Sequence, residues 1–140
     1  MPSIAVVDSG PLIAAANRAD KYHVAALSAL RSPELRLVIP ALCVAEVSHV
    51  LQQSAGPRVE ATFLRSLEEF DVRLPMPEDW NRIADLVEQY SDFPLGGTDA
   101  TVVALAERLK TDLLLTTDHR HFRAVRPLHC ESFQLLIDER

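Results

Sequence analysis

Short apolar runs alternate along this chain with longer segments whose apolar residues recur at helical spacing. That alternation constrains the fold more than any other feature. The runs are Ile4–Val7, Leu37–Ile39, Val72–Leu74, Leu113–Leu115 and Phe133–Ile137, each read as a strand. Leu12–Ala16 follows Ser9-Gly10-Pro11, a proline-marked helix entry. Val24, Leu27 and Leu30 mark a second helical stripe. Pro40 opens a helix with Cys43, Val44, Val47, Val50 and Leu51 on one face, ending near Gly56-Pro57. Val59, Phe63, Leu67 and Phe70 are spaced for another helix. Pro77-Glu78-Asp79 begins one that carries Trp80, Ile83, Ala84, Val87 and Tyr90. Gly96-Gly97-Thr98 precedes one with Val102, Leu105, Ala106 and Leu109. Strands alternating with helices join through right-handed crossovers into a mainly parallel sheet covered on both faces. Such sheets place their sites at the carboxyl ends of the strands.

No repeat, linker or low-complexity tract interrupts the pattern. A chain of 140 residues is close to the size of one domain, so residues 1–140 are expected to fold as one. Two cysteines, Cys43 and Cys130, exclude a disulfide framework and a cysteine zinc site. No apolar run approaches the ~20 residues of a membrane-spanning helix. The start, Met1-Pro2-Ser3-Ile4-Ala5-Val6-Val7-Asp8, has no basic segment before its apolar run, so a cytoplasmic protein with no membrane partner is expected.

Four acids fall where that architecture puts a site. Asp8 follows the first strand, and Asp118 follows the strand that ends near Thr117. Asp99 opens a helix after Thr98. Glu46 lies within the helix after the second strand, on the flank of its apolar arc between Leu42 and Val50. Each has an ordinary alternative: a helix cap for Asp8, a complement to the helix dipole for Asp99, a turn residue for Asp118, a solvated helix acid for Glu46. Together they converge on one edge, with no Lys or Arg beside Asp8, Glu46 or Asp99 in sequence. Carboxylates at short range repel and need a cation. An all-oxygen donor set suits Mg²⁺ or Mn²⁺, the equipment of phosphodiester hydrolysis. The net charge of −6 argues against a nucleic-acid partner only until bound cations offset those acids.

Val-Val-Asp-Ser-Gly-Pro-Leu at 6–12, Glu46 in mid-helix, Pro-Leu-Gly-Gly-Thr-Asp-Ala at 94–100 and Leu-Thr-Thr-Asp-His-Arg-His-Phe at 115–122 stand in one order along the chain. Together they resemble the PIN-domain ribonucleases, and among them the VapC toxins of bacterial type II toxin–antitoxin systems. The resemblance spans essentially the whole chain. It implies a three-layer α/β/α sandwich with a mainly parallel sheet of about five strands. It implies that Asp8, Glu46, Asp99 and Asp118 are catalytic and bind Mg²⁺ or Mn²⁺, with Ser9 and Thr116 as supporting hydroxyls. It further implies cleavage of RNA needed for translation, restraint by a cognate antitoxin, and a homodimer. The pair Gly96-Gly97 is richer in glycine than the family pattern leads one to expect.

Residues 118–129 form the most basic stretch, with three Arg and three His. Arg120 and Arg123 are its candidates for contact with an RNA backbone; the alternative is a solvated loop whose arginines pair with surface acids. His119 and His121, two apart in a loop, are poor candidates for metal ligands. His23 and His49 read as structural, Trp80 and Tyr90 as core or interface, and Cys43 as a small buried hydrophobe. Two rivals remain. A phosphoacceptor receiver domain carries paired acids after its first strand and a lysine at a late strand end; here Asp8 stands alone and Lys110 falls within a helix. A PIN-like scaffold that binds RNA or protein with weak or no cleavage is expected to have lost some acids, and all four are present.

Overall fold

The computed structural model describes residues 1–140. In chain order it comprises β1 (Ser3–Val7), α1 (Ser9–Ala15), α2 (His23–Leu30), β2 (Leu35–Pro40), α3 (Ala41–Ala55) and α4 (Pro57–Ser66). A 3-10 turn at Leu67–Glu69 leads to β3 (Asp71–Arg73), α5 (Asp79–Gln89), α6 (Gly97–Leu109), β4 (Leu113–Leu115), α7 (His119–Ala124) and β5 (Gln134–Leu135). The sheet has the order β3-β2-β1-β4-β5, and every pairing is parallel. All five expected strands form.

The chain steps from β1 to β2 to β3 in one direction. α5 and α6 then carry it back across the sheet to β4 and β5. Right-handed crossovers therefore lay α1–α4 on one face and α5–α7 on the other, giving an α/β/α sandwich. β1 is central, and Ala5, Val6 and Val7 have no exposed surface. Covered on both faces, its buried half reads as a continuous apolar run rather than an alternating one. The direction of travel reverses between β1 and β4, so the crevice beyond their carboxyl ends is the switch point of the topology.

Several helical readings need correction. On α2 the buried residue is Ala26, whereas Val24 is 73% exposed. On α5 the buried pair is Ile83 and Leu86, while Trp80 is 49% exposed and Val87 also faces solvent. Ion pairs set that rotation: Arg82 grips Glu107 through two bonds of 2.8 Å, and Arg108 reaches Asp79 at 2.7 Å and Glu78 at 3.1 Å. They turn α5 so that Ile83 and Leu86 meet α6. Tyr90 does take the structural role expected, its hydroxyl accepting from the Arg126 N–H at 2.9 Å. α6 itself has no polar face between Ala100 and Ala106, because it is wedged between the sheet and α5. The segment after Asp118 is a short helix, not a loop. His49 is on the surface, whereas His23 Nδ1 bonds the Ala14 carbonyl at 2.8 Å and is structural as expected.

Lys110 caps the far end of α6 in the left-handed conformation, φ 54°, at the opposite edge of the sheet from Asp99. That removes the lysine a receiver domain would need. No helix is long and apolar enough to cross a membrane.

These placements set a stability contrast. Leu114 is fully buried in β4, and Leu114→Ala should cost about 2–5 kcal/mol in urea unfolding. Val24→Ser should stay within about 0.5 kcal/mol of the parent, an outcome that the helical stripe first read at Val24 would not allow.

Candidate active site

The switch-point crevice is built from the ends of β1 and β4 and the starts of α3 and α6. Asp8 is the residue after β1 and the N-cap of α1, yet its side chain caps nothing and is only 5% exposed. Its backbone N–H continues the ladder to the Leu115 carbonyl at 2.9 Å, which fixes it over the gap between the two strands. The Thr116 hydroxyl donates to Asp8 Oδ2 at 2.8 Å and accepts from the Asp118 N–H at 3.0 Å. One buried threonine thus aligns two of the four acids. On the other oxygen, the Cys43 thiol points at Oδ1 from 4.0 Å. α1 comes close to the segment after β4: a Cβ on Gly10 would meet Thr117 Oγ1 at 2.1 Å, so any other residue there obliges the Thr117 side chain to turn away.

Asp99 sits half-buried in the first turn of α6. Gly96 and Gly97 have open space around them, and Gly96 takes an ordinary φ of −71°. Neither glycine is demanded by backbone strain or crowding. Glu46 reaches the crevice from the exposed flank of α3. Asp118 is the N-cap of α7: it accepts from the His121 N–H at 3.1 Å and holds His121 Nδ1 at 2.9 Å.

The electrostatics join these residues. Burial pushes the Asp8 carboxyl up to about 7; the Thr116 hydroxyl and the Ser9 N–H oppose that rise, and the charges of Asp99 and Glu46 add to it. Asp99 is also raised, by its burial first and then by Asp118 and Glu46, with His121 acting the other way. Cys43 is driven far above the ordinary thiol range by burial and by the same acids, so it stands there as a neutral thiol. Asp99 is the link between the acids: it acts with Glu46 on Asp8, and it is itself acted on by Glu46 and Asp118.

A divalent cation is the group that the chemistry of this donor set implies, and three features fit it. The acids face each other with no Lys or Arg among the groups that shift Asp8 or Asp99. Asp8 is ionised only against the cost of burial. Ser9 Oγ is buried beside Asp8 with no hydrogen-bond partner, an arrangement that native proteins seldom leave unused. No three His, Cys, Asp or Glu side chains stand closed into a ready-made ligand set. Asp8, Asp99 and Glu46 act on one another electrostatically, and Asp118, which also acts on Asp99, caps its own helix and holds His121.

The other candidates separate. His119 is 5% exposed, with Nε2 on the Ile137 carbonyl at 2.7 Å, so it serves the fold. Arg123 is paired with Glu139 at 2.7 Å on the surface. Arg120 makes no ion pair and lies over the Phe93 ring, 4.8 Å from its centroid. Sequence reasoning missed two participants. Cys43 is one helical turn before Glu46, a spacing that shares a face and pointed to the crevice as well as to the core. Phe93 carries no pattern of its own; only the fold brings it to His121.

The PIN-domain family model matches residues 5–127, and the chain belongs to the PIN-domain family. It is 30% identical over 125 residues to Ribonuclease VapC26 of Mycobacterium tuberculosis, a match covering 88% of this chain and 93% of that one. Among solved structures it resembles Mycobacterium tuberculosis VapC20, described as a sarcin-ricin loop cleaving toxin. The TM-score is 0.77 at 17% identity, over 92% of this chain and 99% of that one. It also resembles VapBC2 of Rickettsia felis bound to a DNA fragment from its promoter, with a TM-score of 0.66 at 15% identity over 87% and 92% of the two chains. A toxin–antitoxin complex from Klebsiella pneumoniae gives 0.63 at 20% identity over 86% and 92%.

The raised Asp8 carboxyl makes a pH prediction for the metal-free protein. The folded state binds this proton more tightly than the unfolded chain, so the fold loses stability as pH rises from about 4 to about 7. A rise from 3.8 to about 7 corresponds to about 4 kcal/mol at most. Asp8→Asn should match the wild type near pH 4 and melt higher than it above pH 7 in EDTA. A mutant that melts lower at both ends would refute the burial of an uncompensated charge.

Proposed function

We propose that this chain is an Mg²⁺- or Mn²⁺-dependent endoribonuclease, the toxin of a toxin–antitoxin pair, which acts in the cytoplasm on RNA needed for translation. The observation that carries the reading is the buried Asp8 carboxyl facing Asp99 and Glu46 without a basic partner. Membership of the PIN-domain family and the likeness to a protein named as a ribonuclease support it.

In this reading Asp8, Glu46, Asp99 and Asp118 form the catalytic and metal-binding set. A divalent cation, when bound, supplies the positive charge that holds these acids ionised and stabilises charge building on a phosphoryl group. Thr116 keeps Asp8 and Asp118 in register, and Ser9 offers its unpartnered hydroxyl to the same space. Asp118 orients the His121 ring at the rim. Cys43 keeps its proton and serves as a donor behind Asp8, not as a nucleophile. Water attacks the phosphodiester, and the bond to the ribose 3′-oxygen breaks. A two-histidine mechanism through the RNA 2′-hydroxyl would need His119 as well as His121, and the His119 ring is tied to Ile137 inside the fold.

Three outcomes test the chemistry. Cleavage products should carry 5′-phosphate and 3′-hydroxyl ends and vanish in EDTA; 2′,3′-cyclic ends would overturn the mechanism. Asp99→Asn should abolish cleavage while the protein stays folded. Millimolar Mg²⁺ or Mn²⁺ should raise the melting temperature of the wild type but not of Asp8→Asn, since the ion binds only the folded site. A fourth outcome tests the partners. The protein should sediment as a homodimer, and a cognate antitoxin should cover the acidic crevice, with an arginine reaching its carboxylates. A monomer at every concentration would remove the dimer, and a neighbouring gene product that neither binds nor neutralises the protein would remove the toxin assignment.

A further inference from the structure

We propose that Phe93 and Arg120 form a stacking subsite that seats one unpaired base of the RNA beside the acidic crevice. The inference rests on the ribonuclease reading and names a part of the molecule that the four acids do not explain.

An acidic crevice on a chain of net charge −6 repels RNA, so a cation must meet the strand near the site. Five of the twelve arginines are committed to carboxylates: Arg82 to Glu107, Arg108 to Asp79 and Glu78, Arg36 and Arg73 to Asp71, and Arg123 to Glu139. Arg120, two residues after Asp118, has no such partner and is exposed. Its guanidinium is held over an aromatic ring instead. That ring, Phe93, belongs to the segment between α5 and α6 and is half-buried. The His121 ring lies 4.9 Å from it at an interplanar angle of 48°. His121 is in turn fixed by Asp118 at 2.9 Å. Asp118, His121, Phe93 and Arg120 therefore form a series of successive contacts that starts at one of the four acids.

An exposed contact between a cation and a ring contributes about 0.5–1 kcal/mol. Arg120 stays as a planar cover over the ring with its outer face to solvent, and that flat surface is presented to the base next to the bound phosphate. Single-stranded RNA is held in this manner, with unstacked bases laid on aromatic rings or guanidinium planes. Lysine would keep the charge of Arg120 and lose its plane. Leucine would keep the packing of Phe93 on His121 and lose its ring.

The test uses the Asp99→Asn protein, expected not to cleave, in Mg²⁺, with a short oligoadenylate carrying internal 2-aminopurine and the same oligonucleotide with abasic sites. The parent should quench 2-aminopurine fluorescence and prefer the intact strand by about tenfold. Adding Phe93→Leu or Arg120→Lys should each bring that preference close to one and remove the quenching, while Phe93→Trp should retain both. The preference is a ratio taken on folded protein, so a loss of stability in one variant does not mimic the effect. Retention of preference by Arg120→Lys would make Arg120 a phosphate contact only. Retention by Phe93→Leu would make the ring a packing residue. Either result overturns the subsite. Failure of the wild-type chain to cleave any RNA in Mg²⁺ or Mn²⁺ would instead sink the ribonuclease reading, and the stacking measurement is made independently of it.

Discussion

The bond from the Thr116 hydroxyl to Asp8 organises the molecule's functional edge. It joins residues 108 apart in sequence, and it does so where the sheet topology reverses. A carboxylate this deeply buried is costly unless something accepts its charge. Thr116 offsets part of that cost and transmits the position of Asp8 to Asp118 through a second bond. Around this pair the elements fall into place: α1 comes close to the segment after β4 at Gly10, and α6 delivers Asp99 from the opposite face.

The site is thus arranged against the stability of the empty protein. Asp8 and Asp99 are both driven above the ordinary carboxylate range by burial and by their acidic neighbours. The compensation lies elsewhere. Twenty-seven buried residues form one continuous apolar cluster, and α5 is clamped to α6 by the Arg82–Glu107 pair, whose side chains are largely removed from water. The helix carrying Asp99 is buried on all sides over Ala100–Ala106, so that carboxylate is set by a rigid element rather than by a loop.

The strands were legible because a sheet buried on both faces writes itself as short apolar runs, and Ile4–Val7 and Leu113–Leu115 have no other easy reading. The acids were legible as a set because strand ends and helix starts are the places where such a sheet collects them. Helix orientation was less so. At α5 the stripe through Trp80 and Val87 is as apolar as the one through Ile83 and Leu86, and the choice was made by ion pairs to α6, residues distant in sequence. At α7 the run of Arg and His concealed a helix whose cap is Asp118 and whose buried contacts are His119 and Phe122. Phe93 could not be found from sequence, because its neighbours His121 and Arg120 reach it only through the packing of α7.

The parallel pairing of β1 with β4 also governs when the crevice comes into being. Val6 and Val7 take Leu114 and Leu115 as partners, so the first strand made during synthesis waits for one of the last. Until the segment beyond residue 113 leaves the ribosome, Asp8 has neither its backbone bond to Leu115 nor the Thr116 hydroxyl. A nascent chain therefore carries its acids without the scaffold that gathers them. A crevice whose parts are split between residue 8 and residue 116 is not assembled until the chain has been made past β4.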